Sequence, residues 1–97
     1  MLQRVGVSFR SPLSPSDVRQ EVIAPLRAAV ESSAAGIYSN YMHQADASPE
    51  ARDAEHLIVF EVQDFKEGLR VLRVAAQGLP LAVAWQFHNL NPSQPLY

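Results

Sequence analysis

The stretch from His56 to Asp64 constrains this chain most. Ile58, Phe60 and Val62 fall on one side of a period of two, and Leu57, Val59 and Glu61 on the other. Strict alternation with β-branched and aromatic residues is the signature of a strand. The period then changes at once. Asp64 reads as a helix N-cap and Glu67 as its capping-box partner. Phe65, Leu69, Leu72, Ala76 and Leu79 recur at helical spacing until Gly78 and Pro80 end the run. A strand feeding directly into a helix is half of a β-α-β unit.

The N-terminal half repeats this logic. Val5, Val7 and Phe9 alternate with Arg4, Gly6, Ser8 and Arg10, which predicts a second half-buried strand. Ser14-Pro15-Ser16-Asp17 supplies an N-cap, a proline at the first helical position and an acid in the first turn. Val18, Val22, Ile23, Leu26, Ala29 and Val30 continue at helical spacing, and Gly36 stands where the helix is expected to stop. Pro25 lies inside that pattern and is expected to kink or split the helix, because it removes a backbone donor. Ile37 to Gln44 carries polar atoms on both faces and reads as an edge strand. Residues 45–54 form a polar loop with room for one helical turn after Ser48-Pro49. Leu81 to Asn89 is expected to be the last strand, with Val83, Trp85 and Phe87 on one face.

The order β-α-β-β-α-β, joined by right-handed crossovers, closes into one architecture. This is the ferredoxin-like plait, an α+β fold with a four-stranded antiparallel sheet of order 4-1-3-2 and two helices on one face. Residues 1–88 make one domain, and residues 89–97 read as a polar, proline-containing tail. Val5, Val7, Phe9, Ile58, Phe60, Val62, Val83, Trp85 and Phe87 should face the helices. Arg10, His43 and His56 should share one end of the sheet, with His88 at the other.

Composition narrows the function classes. The 97 residues contain no Cys, which excludes disulfides, thiolate chemistry and cysteine metal sites. Eight Lys and Arg are scattered without a run and the net charge is −2, so neither nucleic acid nor a membrane is expected as a partner. The N-terminal residues lack a basic region followed by an apolar one, so a cytoplasmic protein without a signal peptide is expected. The three His have no helical i, i+4 spacing, and no metal or other cofactor is expected.

Gly6-Val7-Ser8-Phe9-Arg10 resembles the end of the phosphate-holding loop of acylphosphatases, a family with the same plait. The first half of that motif is missing, since Leu2-Gln3-Arg4-Val5 stands there, and no Asn follows at the family's spacing. Arg10 is therefore read as a strand-end charge. No nucleophile elbow or glycine-rich phosphate loop occurs, and no catalytic constellation is recognised.

Two surfaces remain as candidates. On the face of the sheet away from the helices, Gly6, Ser8, Leu57, Val59, Ala82 and Ala84 should form a flat apolar patch. Arg4 opposite Glu61, with Gln86 and His88 one strand over, should border it. The second surface is the edge strand with Tyr38, Tyr41 and Met42, which could accept another strand. The reading is a small non-enzymatic binding or oligomerisation module, a homodimer self-associating through that uncovered sheet face, or the binder of a protein partner of the immunity, antitoxin or regulatory kind. The alternative is a small-molecule site in a dimeric α+β barrel, cofactor-independent or regulatory, with Arg10, Tyr41, His43 and His56 as its polar groups. Architecturally such a chain looks like ACT-type regulatory domains and small monooxygenase-like plaits.

Overall fold

The computed structural model describes residues 2–45 and 53–90. β1 (Gln3–Ser11) leads into a helical run made of α1 (Pro15–Val18), a π-helical stretch (Arg19–Ile23) and α2 (Ala24–Ser32). β2 (Gly36–Ala45), β3 (Ala54–Val62), α3 (Phe65–Gln77) and β4 (Gln86–Asn89) follow. The sheet is antiparallel with order β2-β3-β1-β4, the expected 4-1-3-2 read from the other edge. The helical turn expected after Ser48-Pro49 lies outside the described residues.

Alternation sets the core. Val5, Val7 and Phe9 of β1 and Ile58, Phe60 and Val62 of β3 are buried under Val18, Val22, Leu26 and Val30 of the first helical run and Val71, Leu72 and Ala76 of α3. Val83, Trp85 and Phe87 pack against that core half-buried. Both helix starts are built as the sequence implies. Ser14 Oγ accepts from the Asp17 N–H at 3.2 Å, and Asp64 Oδ1 accepts from the N–H groups of Lys66 and Glu67 at 2.9 and 3.4 Å. The Glu67 carboxylate is paired with Arg70 on the helix surface, so the capping box is half used.

Pro25 interrupts the regular α-helix, as expected, without ending the helical path. Ile23 and Ala24 keep helical dihedrals, and the turn before Pro25 widens so that the Ala24 N–H reaches Arg19 C=O, five residues back. A π turn redistributes the bonds around the missing donor. Gly36 is not the helix stop either. Ala34 takes the left-handed conformation with φ 57°. Its N–H bonds Glu31 C=O at 3.1 Å while the Ala35 N–H bonds Val30 C=O at 3.0 Å, which is a Schellman pair. Gly36 instead permits a close approach: a Cβ there would fall on the Glu61 carbonyl and 2.8 Å from Val62 Cα.

The last strand is shorter than the pattern implies. Pro80 sits in a tight turn closed by the Leu81 N–H on Leu79 C=O at 2.8 Å, and the chain reaches β1 only at Gln86. At the other end the folded unit runs past residue 88. Asn89 pairs with Val5, and the Leu90 N–H donates to Arg4 C=O at 3.2 Å. The remainder of the expected tail, 91–97, lies outside the described residues.

Ala34→Gly should stabilise the protein by about 1 kcal/mol, since alanine pays a steric cost at positive φ that glycine avoids. That shift raises Tm by roughly 4–8 °C for a domain this size. Gly36→Ala should lower stability by about 1–3 kcal/mol through overpacking against β3. Urea unfolding of the two variants checks both signs.

Candidate functional site

β2 and β3 carry the side chains that sequence reasoning singled out, and their register is irregular. Tyr38 pairs with Phe60, but Asn40 pairs with Val59, so Ser39 is an extra residue in a β-bulge. The bulge resets the alternation. Tyr38, Tyr41 and His43 all lie on the helix side, opposite Phe60, Ile58 and His56, while Ile37, Asn40 and Met42 lie on the other face, opposite Glu61, Val59 and Leu57. A uniform period of two would have put Tyr38 and Tyr41 on opposite faces.

His56 is at the expected end of the sheet and is fully buried there. Phe9 stacks on it at 4.9 Å between centroids, and Trp85 packs on Phe9 at 4.8 Å. Both ring nitrogens are engaged. Nε2 lies 3.4 Å from Ser11 C=O, an acceptor, so Nε2 carries the proton and Nδ1 accepts from the Tyr41 hydroxyl at 2.7 Å. Burial holds the His56 pKa below its ordinary value, against an opposing contribution from Ser11 C=O; the neighbouring His43 lowers it further. Tyr41 is pushed up by burial, partly offset by Arg19, whose guanidinium stands 5.7 Å over the Tyr41 ring. His43 is exposed and stacks on both Tyr41 and His56 at 6.3 and 6.2 Å. This arrangement locks the sheet end together and presents no lone pair of His56 to a ligand. Among the described residues no group of three or more His, Asp or Glu could hold a metal ion.

Arg10 does not join the cluster. It lies on the opposite face of β1, in register with Glu55, beside a cleft of about 390 Å³ shared with Ser8, Ala82, Ala84 and Gln86. That cleft exists because residues 81–85 stand off from β1, so Ala82 and Ala84 line its wall and are not part of a flat patch. Gly6, Ser8 and Val59 are buried on this face; Ser8 is 4% exposed and Val59 7%. Leu90 lies on Gly6 beside Leu57. His88 is in register with Gly6, and its Nε2 is 2.7 Å from Ser8 Oγ. Arg4 stands opposite Glu61 as the register implied.

The open edge of the sheet is the other surface. β2 is ten residues long and contains no Asp, Glu, Lys, Arg or Pro. It exposes Ile37 at 50% and Met42 at 48%. Between β2 and the first helical run lies a cleft of about 470 Å³, lined by Arg19, Ile23, Ala24, Ala28, Glu31 and Tyr38 among others. The edge strand is legible in the sequence, whereas the bulge, the exposure of Ile37 and the place of Arg19 are not. Only the neutrality of residues 36–45 was there to be noticed.

No family model matches this chain, and no curated protein matches it. Among solved structures it is similar to 30S ribosomal protein S6 from Thermotoga maritima, at 14% identity and a TM-score of 0.61. The likeness covers 92% of this chain and 88% of the other. It establishes the shared ferredoxin-like fold. It also overturns one expectation: a ribosomal protein has the same plait, so scattered basic residues and a net negative charge do not remove nucleic acid from the possible partners. No helix among the described residues is long and apolar enough to cross a membrane.

The buried neutral His56 makes stability depend on pH. Its folded pKa is depressed, so the unfolded chain takes up a proton first as pH falls through the ordinary value near 6.5. Stability is full above that value, declines below it, and levels once the pH is under the folded pKa. Urea midpoints between pH 7.5 and 5.5 should fall for the wild type. They should fall much less for His56→Asn.

Proposed function

We propose that this chain is a non-enzymatic binding module and that its working surface is the open edge of the sheet along β2, where a protein partner adds a strand. One observation carries the reading. β2 is a long edge without the charges or prolines that ordinarily prevent edge-to-edge pairing. The other edge is guarded by brevity, since β4 has four residues. Ile37 and Met42 add exposed apolar area to the β2 edge, and the cleft beside Tyr38 gives a partner's side chains a place to enter. The face across the sheet offers less, because Gly6, Ser8 and Val59 are already covered. The fold's occurrence in a protein named as a ribosomal component is consistent with a life in assemblies.

A photo-crosslinking amino acid placed at Met42 tests this in the native host, with the same group at Val74 as control. Val74 is 61% exposed on α3, the helix that packs on β1 and α2. Protein adducts from position 42 and not from position 74 are the expected result. An absence of protein adducts at 42 would contradict the reading, and recovery of crosslinked RNA in their place would replace it with a nucleic-acid function.

A further inference from the structure

The bulge gives β2 a property that a regular strand lacks. We infer that the strand added to β2 is β2 of a second copy of this chain, paired antiparallel so that Ile37 meets Met42 and Tyr38 meets Tyr41. This inference rests on the strand-edge reading above and names its occupant.

In an antiparallel pair, residues directly opposite share a face. For a strand with strict alternation, a two-fold pairing of Ile37 with Met42 is forbidden, because positions five apart point to opposite faces. The extra residue at Ser39 removes that obstacle. Ile37 and Met42 both lie on the outer face, and Tyr38 and Tyr41 both lie on the helix side. The order of faces read outward from the Ser39–Asn40 bond is therefore the same in both directions. Gly36 and His43, the next pair, also match, since both are in register with helix-side residues of β3, Val62 and His56. A two-fold axis through Ser39–Asn40 thus places the pairs 36–43, 37–42 and 38–41 each on a common face. It also joins the two large apolar side chains that β2 exposes, each covering the other.

The surroundings agree with this axis. Side-by-side sheets put both helical layers on one side, so the two first helical runs face each other across the cleft beside Tyr38. Ala24 and Ala28 line that cleft, are exposed and are small, which lets the two helices approach. Arg27 and Glu31, an exposed pair at 2.8 Å, stand on the same rim with opposite charges, so each copy offers both signs to its mate. No charge in β2 opposes the pairing. The Tyr41 N–H is held by Asn40 Oδ1 at 2.8 Å, and a second copy exchanges that local bond for an inter-strand one.

The native chain has no cysteine, so engineered thiols report without background. The test combines mild oxidation, or a short bis-maleimide, with solution mass by light scattering. Ile37→Cys mixed with Met42→Cys should give a covalent dimer in high yield. Each single variant alone should give little, because its two thiols would lie about 14 Å apart along the strand, four ladder steps at about 3.4 Å each. Met42→Lys should keep its circular dichroism, run as a monomer at concentrations where the wild type is a dimer, and melt at the Tm of the dilute wild type. A wild-type dimer in which 37 and 42 fail to link while either single variant links to itself would overturn the register. A wild type that stays monomeric at high concentration would overturn the second copy altogether. In that case, protein adducts from position 42 of larger mass than a homodimer would leave the strand-edge reading standing with a different occupant.

Discussion

Val62 is held between two absent side chains, and the rest of the site follows from that contact. On one side Gly36 opens β2 so close to β3 that any Cβ would strike the Glu61 carbonyl and the Val62 backbone. On the other, Gly68 of α3 lies so near that a Cβ would stand 2.5 Å from Val62 Cγ1. Strand, edge and helix are thereby fastened at one end of the sheet. At the far end, Tyr41, His43 and His56 fasten β2 to β3 again, with His43 directly opposite His56. Between the Gly36–Val62 and His43–His56 pairs, β2 uses one residue more than β3. The surplus has to leave the ladder, and Ser39 is where it does. The bulge is thus the consequence of two fixed ends, and the palindromic order of faces along β2 is the consequence of the bulge.

The far anchor depends on a neutral imidazole. Ser11 C=O fixes the proton on Nε2, which leaves Nδ1 to take the Tyr41 hydroxyl and so orients Tyr41 beneath the Arg19 guanidinium. Arg19 itself opens the π turn that precedes Pro25. The wider turn that accommodates a proline also sets the cation at the sheet edge. Stability, the tautomer of His56 and the shape of the cleft beside Tyr38 are therefore parts of one arrangement.

Much of this fold could be read from the residues alone. Period two in Val5-Val7-Phe9 and Ile58-Phe60-Val62, and the caps at Ser14 and Asp64, are local signals that the tertiary structure reinforces. Most of what escaped the sequence was non-local. His56 lies at the start of a strand, where side chains are commonly wet. It is dry here because Phe9 and Tyr41 close over it from other strands. Ala34 takes a conformation that glycine favours while the nearby Gly36 serves another strand's backbone. The bulge at Ser39 has no composition of its own. It appears only when Gly36 and His43 are both matched to β3. Leu81 to Trp85 alternates like a strand, yet the turn at Pro80 keeps it off β1. For His56, Gly36 and the bulge, the deciding contact joins residues far apart in the chain.

The most direct measurement is amide hydrogen exchange along β2 at low and high protein concentration. The β1 and β3 amides are interior to the sheet and should exchange slowly and equally at both concentrations. The β2 amides that point away from β3 should exchange fast when dilute and become protected as concentration rises, and Met42→Lys should abolish the rise. Exchange along β2 that is the same at every concentration would contradict the closure of this edge by a second copy.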